Sequence, residues 1–210
     1  MDLAVWALVA GSGWASGLNL YLVVALLSGA GRLGLLDVPD LLLRNDVLVA
    51  ALVLTVVEFV ADKIPLLDSA WDVVHTAIRP LGAAIVGYAF GGDAPGAEQI
   101  TAAVTSAGLA LASHAVKATA RAAINASPEP VSNIAASVAE DSLVVGVLVL
   151  AVLTPIVAIV AVVILLAAGA ALATMLASMA RRGRRRLRAK RAQRRSANGP
   201  PPPPPTVTRP

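Results

Sequence analysis

The sequence predicts an all-α protein: a multi-pass transmembrane helical bundle with interrupted helices and a disordered, basic, proline-rich C-terminal tail. Three observations predict it. Of the 210 residues, 57% are hydrophobic and 14% are charged, which leaves too little polar surface to cover a soluble globule. The stretch 142–180 has no charged residue over 39 positions, nearly twice the roughly 20 residues that cross a bilayer. Finally, 11 of the 17 Lys and Arg residues lie in the last 30 positions.

This charge segregation also predicts an orientation. Residues 1–180 contain 6 basic and 13 acidic residues, a net charge of −7 (6 − 13), so the formal charge of +4 comes from the tail. Because cytoplasmic flanks of membrane spans are rich in Lys and Arg, we expect the C-terminus in the cytoplasm. The frequent use of Ala, Val and Arg is typical of a high-GC bacterium, and the expected location is the bacterial inner membrane.

Five apolar stretches follow one another, at 3–36, 47–59, 81–90, 100–112 and 143–180. The glycine-rich segment 11–17 predicts an interruption or a close helix contact in the first. The third would form about 15 Å of helix, so it crosses only if the polar segment before it continues the same helix. Pro155 predicts a break in the fifth, with a short segment before it and a full span after it.

These stretches predict one membrane domain over 1–180 with about five to six crossings. A cytoplasmic N-terminus and six crossings would put the acidic loop 91–98 outside, and Lys117 and Arg121 inside. The loop with Arg32 and Arg44 fits this arrangement less well. A five-crossing arrangement with an external N-terminus stays open.

The second apolar stretch ends in carboxylates. Glu58 and Asp62 lie four residues apart and therefore share one helix face. The next segment places four polar residues on one helical stripe, with three apolar ones expected on the opposite side: Asp68, Asp72, His75 and Arg79 against Trp71, Val74 and Ile78. The order of acid before base favours Asp72 pairing with Arg79 or His75.

The fourth apolar stretch ends in a basic face that contains His114, Lys117 and Arg121. Its sign is complementary to that of Glu58 and Asp62, and unpaired charges at membrane depth are costly, so we expect these two groups to meet across a helix interface. Both regions run from apolar helix to charged end, proline and polar helix, which suggests an internal pseudo-repeat of the kind found in transporters.

The candidate polar or transport site therefore contains residues from both regions: Glu58, Asp62, Lys63, Asp68, Asp72, His75, Arg79, His114, Lys117, Arg121, Asn125, Glu129 and Asn133. Three interpretations stay open for 68–79: an amphipathic helix on the membrane surface, a buried or water-lined polar site, and an embedded enzyme with Asp72 and His75 as an acid/base pair. Two His without Cys make a poor metal site, and no cofactor is expected. Asn19 and Tyr21 are expected to hydrogen-bond between helices.

The tail, 181–210, is expected to be disordered, with the prolines 200–205 in an extended polyproline helix. Its basic part would attract anionic lipid headgroups. The prolines would suit a proline-reading protein partner, and a homo-oligomer stays open. No nucleic-acid partner is expected, because basic runs next to membrane spans orient the chain.

Several segments carry a family resemblance: 16–21 (Ser-Gly-Leu-Asn-Leu-Tyr), Glu58, 62–65 (Asp-Lys-Ile-Pro), Asp68, Trp71-Asp72, His75-Thr76, Ile78-Arg79-Pro80, 125–130 (Asn-Ala-Ser-Pro-Glu-Pro) and Ser132-Asn133. Together they resemble the bacterial membrane-protein family catalogued as domain of unknown function 4126. The resemblance covers roughly 3–180. It implies an integral membrane protein and supplies no reaction.

From the residues, the leading functional hypothesis is a transporter or channel-like protein for a small solute or ion. Glu58 and Asp62 would bind a cation or proton, Asp72 and His75 would relay or gate, and Lys117 with Arg121 would be counter-ions. The alternative is a structural or scaffolding membrane protein whose tail recruits partners. An enzyme ranks third.

Overall fold

The computed structural model describes residues 1–64, 67–92, 94–125 and 130–197, and this part of the chain forms seven α-helices. They are α1 (Leu3–Arg32), α2 (Asp40–Leu43), α3 (Asn45–Ala61), α4 (Leu67–Phe90), α5 (Gly96–Ile124), α6 (Pro130–Leu153) and α7 (Pro155–Ala197). The predicted all-helical fold is confirmed.

Four of these helices, α1, α4, α6 and α7, are long and apolar enough to cross a membrane. On α3, with 17 residues, large apolar side chains point outward, among them Val49, Val53 and Val56 at 59%, 57% and 63% exposure. Exposed side chains of this kind, next to one another on a helix, suit contact with lipid rather than water. The length and surface of the helices therefore fit a multi-pass membrane protein.

Helix α1 breaks at Asn19, whose backbone has non-helical angles (φ −152°, ψ 94°). The Asn19 side-chain oxygen accepts a hydrogen bond from the Leu22 amide at 3.0 Å, so Asn19 caps the second half of α1. The break lies just beyond the predicted glycine-rich segment. Within that segment, Gly13 and Gly17 instead allow close contact with α5: a Cβ on Gly13 would lie 2.7 Å from the Ser106 Cα.

The two halves of α1 run in opposite directions relative to α6. Gly11 contacts Ala151, and the Asn19 side chain donates to Asp141, so the first half is antiparallel to α6. Beyond Asn19, residues of both helices line a common apolar groove of about 380 Å³, including Leu26, Leu27, Ala30, Leu148, Val149 and Val152. In a straight helix Ala30 and Val152 would lie about 33 Å apart, at 1.5 Å for each of 11 residues on either side of the Asn19 contact. The chain therefore turns back at Asn19.

This reversal changes how α1 sits in the bundle. Although α1 is long and apolar enough to cross as one helix, its halves are about 24 Å and 20 Å long, shorter than the hydrocarbon core of about 30 Å. Both halves contact α6, and Arg32 at the end of α1 bonds to the Leu43 carbonyl at the end of α2 and to Asn45 at the start of α3. Helix α1 is thus a helical hairpin with its tip at Asn19.

The first half of α1 runs parallel to α5. The Val9, Trp14 and Leu18 carbonyls accept hydrogen bonds from α5 residues at a nearly constant sequence separation of 97 to 99: Ser106, Ser113 and Lys117. The Met1 amino group pairs with Glu98, so the N-terminus and the start of α5 share one end of the bundle, here called the N-terminal end. The opposite end, here called the basic end, holds Ile124 and Arg181.

The six-crossing arrangement requires Met1 and the loop 91–98 on opposite sides, and it does not fit the ion pair between Met1 and Glu98. The sequence could not show this, because a helix that turns back on itself has the same composition as one that continues straight. The membrane side of each end stays a prediction.

The polar start of α4 continues the same helix through Pro80 to Phe90, which is the condition under which the short stretch 81–90 can cross. Thr154 separates α6 from α7, as Pro155 predicted. The segment before Pro155 is not short, however, because α6 begins at Pro130 and includes the buried Asn133 and Ser137.

Helix α7 continues beyond residue 180 through basic residues to Ala197, although the disordered tail was expected to begin at 181. Arg and Ala have high helix propensity, and no proline interrupts this part of the chain. The predicted polyproline segment 200–205 lies outside the described residues.

Candidate functional site

A network of buried charged side chains surrounds the tip of the α1 hairpin. Helices α3, α4 and α5 supply its centre: Glu58, Asp62, Asp72, Arg79, Lys117 and Arg121, none more than 4% exposed. Charges buried this deeply are stable only when they are paired and hydrogen-bonded. The predicted contact between the acidic end of α3 and the basic face of α5 is confirmed.

Arg79 joins four elements. Its guanidinium lies 2.6 Å from the Glu58 carboxylate and 3.1 Å from that of Asp72. It also donates to the Gly17 carbonyl at 3.2 Å and lies 2.6 Å from the His114 Nδ1 atom. Since Glu58 is on α3, Gly17 on α1 and His114 on α5, Arg79 holds α4 against three neighbours.

Lys117 lies about one turn after His114 on α5. Its ammonium group lies 2.9 Å from the Asp62 carboxylate, 3.4 Å from Glu140 and 3.9 Å from Glu58. It also donates to the Leu18 carbonyl at 2.9 Å. The three N–H groups of the ammonium therefore have three carboxylates and one carbonyl around them, which is enough for each N–H group to have an acceptor.

Arg121 connects this cluster to α6. Its guanidinium lies 2.7 Å from the Glu140 carboxylate and 3.6 Å from that of Asp62. It also donates to the Asn133 side-chain oxygen at 3.1 Å. The network thus extends from the tip of α1 toward the basic end of the bundle.

The break at Asn19 makes the tip of α1 polar. The Gly17 and Leu18 carbonyls, which precede the break, accept hydrogen bonds from Arg79 and Lys117. The Asn19 amide donates to Asp141 at 3.1 Å. An interrupted helix whose backbone carbonyls bond to charged side chains of other helices is the arrangement that many transporters use at their binding sites.

His75 has a separate set of partners at the edge of the network. Its ring lies 2.9 Å from the Tyr21 hydroxyl and 2.8 Å from the Trp71 carbonyl, and it stacks on the Trp71 ring with centroids 4.6 Å apart. The prediction that Trp71 lies opposite His75 was wrong, because residues four apart share a helix face. Asp72 pairs with Arg79, one of its two predicted partners.

Three carboxylates each use one oxygen in an ion pair and bury the other. Within the described residues, Glu58 Oε2, Asp62 Oδ1 and Asp72 Oδ2 accept no hydrogen bond, and Arg79 Nε and Asn133 Nδ2 donate none. Polar atoms in this condition are rare and usually mark water, an ion or a functional group. The three unpartnered acceptors and the two unpartnered donors all belong to the same network.

The remaining candidates lie at its margin. Lys63 contacts the Phe59 ring and carbonyl and lies 3.4 Å from Ser137, and Asn125 donates to Ser69. Glu129 and the Asp68 side chain lie outside the described residues. Because Asp72, His75 and Arg79 are buried, the interpretation of 68–79 as a helix with its charges in water is wrong.

Glu140 and Asp141 also belong to the site, although they were not predicted from the sequence. The available signal was their position: with Asn133 and Ser137 they fall on one face of the helix, directly before the long uncharged stretch. In the described part of the chain, no group of three or more His, Asp or Glu residues is arranged to hold a metal ion.

Comparison with known proteins places the network within a family. The family model described as "Domain of unknown function (DUF4126)" matches residues 6–175, a range that contains every residue of the network. No curated protein and no solved structure matches the chain. Because the match spans well over half of the sequence, the chain belongs to this family, domain of unknown function DUF4126.

Proposed function

We propose that this protein is a transporter or channel-like protein that moves a small solute or ion through the charged network at the tip of α1. One observation carries the proposal. Glu58, Asp62 and Asp72 each bury an oxygen that accepts no hydrogen bond within the described residues. A carboxylate oxygen in this setting is favourable only if it binds a proton, an ion or water.

The proposed roles follow from the contacts. Glu58 and Asp62 would bind the cation or proton, because each combines an ion-paired oxygen with an unpartnered one. Lys117 and Arg121 would be counter-ions that keep the carboxylates charged between binding events. Asp72 and His75, on the same side of α4, would relay or gate, with Tyr21 as the hydrogen-bond partner of His75.

The proposed topology has five crossings, by α3 to α7, with α1 as a re-entrant hairpin. The basic end would face the cytoplasm of a bacterium, because Arg181 and the arginines after it continue α7 at that end. The network would then open toward the cytoplasm, and the tip of α1 would separate it from the N-terminal end.

The proposal is tested by ion flux into proteoliposomes that contain the purified full chain. We expect proton, Na⁺ or K⁺ flux under an imposed gradient, and we expect Glu58→Gln with Asp62→Asn to abolish it while the protein stays folded. Asp46→Asn is the matched control. Asp46 is exposed and pairs with Arg44, so it carries a charge that the network does not use.

Unchanged flux in the Glu58/Asp62 variant would contradict the proposal, and so would the absence of flux of all three ions in the unmodified protein. Equal losses in the Asp46 variant would show a general charge effect rather than a site.

A structural or scaffolding protein is the second candidate, favoured by the ion pairs themselves. Arg79, Lys117 and Arg121 together join α3, α4, α5 and α6. Deletion of 181–210 separates the two proposals, since a scaffold would lose its partners whereas a transporter would retain its flux. An enzyme ranks third. Its product would depend on Asp72 or His75, which contact Arg79 and Tyr21 respectively.

A further inference from the structure

A groove of about 540 Å³ lies between α5 and α7 at the basic end, away from the charged network. Its polar lining comes from one residue of α5 and five of α7: Thr119, Thr174, Ser178, Arg181, Arg182 and Arg185. The two helices come close below the groove, where a Cβ on Gly169 would lie 3.0 Å from the Val116 side chain. The groove is therefore a feature of the packing of α7 on α5.

The arginines of this groove are available for a ligand. Arg181, Arg182 and Arg185 are exposed, and in the described part of the chain they take part in no ion pair. Among the lining residues that the structure describes, none is Asp or Glu. Guanidinium groups donate in a fixed fork that matches the oxygens of a phosphate, and hydroxyl groups beside them can donate to the same anion.

The position of the groove indicates which phosphate it takes. Helix α7 has no charged residue from Pro155 to Ala180, and only 11% of its most apolar window is buried inside the protein. Its surface therefore suits acyl chains, and Arg181 begins where that surface ends. The phosphate groups of a bilayer leaflet lie at this boundary. Basic pockets between helices at this depth bind anionic lipid headgroups.

We propose that this groove binds the headgroup phosphate of an anionic phospholipid, with Arg181 and Arg185 as its main ligands. The acyl chains would lie along α7 beside Ala173 and Ala177, which line the apolar part of the groove. The site goes beyond the proposed function and does not rest on it, because none of its residues belongs to the charged network.

The test measures lipid binding to the purified full chain by native mass spectrometry, with dioleoylphosphatidylglycerol, dioleoylphosphatidylcholine and inorganic phosphate as probes. We expect at least tenfold tighter binding of phosphatidylglycerol than of phosphatidylcholine. Arg181→Gln with Arg185→Gln should weaken phosphatidylglycerol binding at least tenfold, because both guanidinium groups lose their charge-assisted hydrogen bonds to the phosphate. The double change of Arg184→Gln and Arg188→Gln is the matched control, because these exposed arginines do not line the groove.

The control pair should change binding less than threefold. Equal weakening by the two pairs would overturn the site in favour of a uniform electrostatic attraction of the whole basic segment. Equal binding of the two lipids would overturn it as well. Binding of inorganic phosphate as tight as that of phosphatidylglycerol would show a site for free phosphate instead of lipid. All substituted side chains are exposed, and an unchanged helical circular dichroism signal would verify folding.

Discussion

Arg79 and Glu58 form an ion pair of 2.6 Å in which both side chains are fully buried. The pair joins α4 to the end of α3, and Asp72 shares the same guanidinium at 3.1 Å. Removing one partner of a buried pair leaves an uncompensated charge, which costs about 3–5 kcal/mol, whereas removing both costs much less.

We therefore expect Arg79→Met to destabilise the protein by about 3–5 kcal/mol, because it leaves Glu58 and Asp72 without this partner. Adding Glu58→Gln should recover part of the loss. Thermal and denaturant unfolding of the single and double variants in the same detergent gives the coupling energy. Additive losses would show that the two side chains do not interact.

The close approach of α1 and α5 depends on Gly17. A Cβ at this position would overlap the Ser113 Oγ atom and the Ala110 carbonyl. We expect Gly17→Ala to destabilise the protein by about 1–3 kcal/mol. Gly108→Ala is the matched control on α5. A Cβ there would meet nothing within 4 Å, so it should be neutral or stabilise the helix by up to about 1 kcal/mol. Equal effects of both changes on the unfolding midpoint would contradict this contact.

The break at Asn19 has two separable bonds. The side-chain oxygen caps Leu22, and the amide donates to Asp141. Asn19→Ser should retain much of the cap and lose the second bond. Asn19→Ala should lose both and destabilise the protein by about 1–2 kcal/mol more than Ser does. Indistinguishable stability of the two variants, measured by denaturant unfolding, would show that the cap contributes nothing.

The hairpin in α1 puts the N-terminus and the start of α5 at the same end of the bundle, opposite the basic end. The chain has no cysteine, so single cysteines report on sidedness directly. With Ala97→Cys and Ala189→Cys, both exposed, a membrane-impermeant maleimide should label the two positions from opposite sides. Labelling of both from one side would contradict five crossings.

Charge sign in the sequence was enough to predict the meeting of Glu58 and Asp62 with Lys117 and Arg121. Buried charges need partners, and these two groups have opposite signs at the ends of two apolar stretches. The pairing of Asp72 with Arg79 followed from their spacing on one helix. Pro155 predicted the boundary between α6 and α7.

The reversal at Asn19 could not be predicted in the same way. Local sequence shows that glycines weaken a helix, but whether they break it or allow close packing depends on the neighbouring helix, here α5. At the break, the Asn19 amide donates to Asp141, 122 residues later, a contact that the local sequence does not reveal. Glu140 joins the network for a similar reason, since its partners Lys117 and Arg121 are brought to it only by the packing of α6.

The most direct test of the central claim is the water accessibility of the network. Single cysteines at Asp62, Asp72 and Ser137 would probe it, and Val144→Cys would be the control, since Val144 is fully buried in the apolar core. If solute or ions pass through the network, a membrane-impermeant thiol reagent should label the first three positions from the side of the basic end, and position 144 should stay unlabelled. If none of the three reacts in the folded protein, the network is closed to water, and the charges only join the helices.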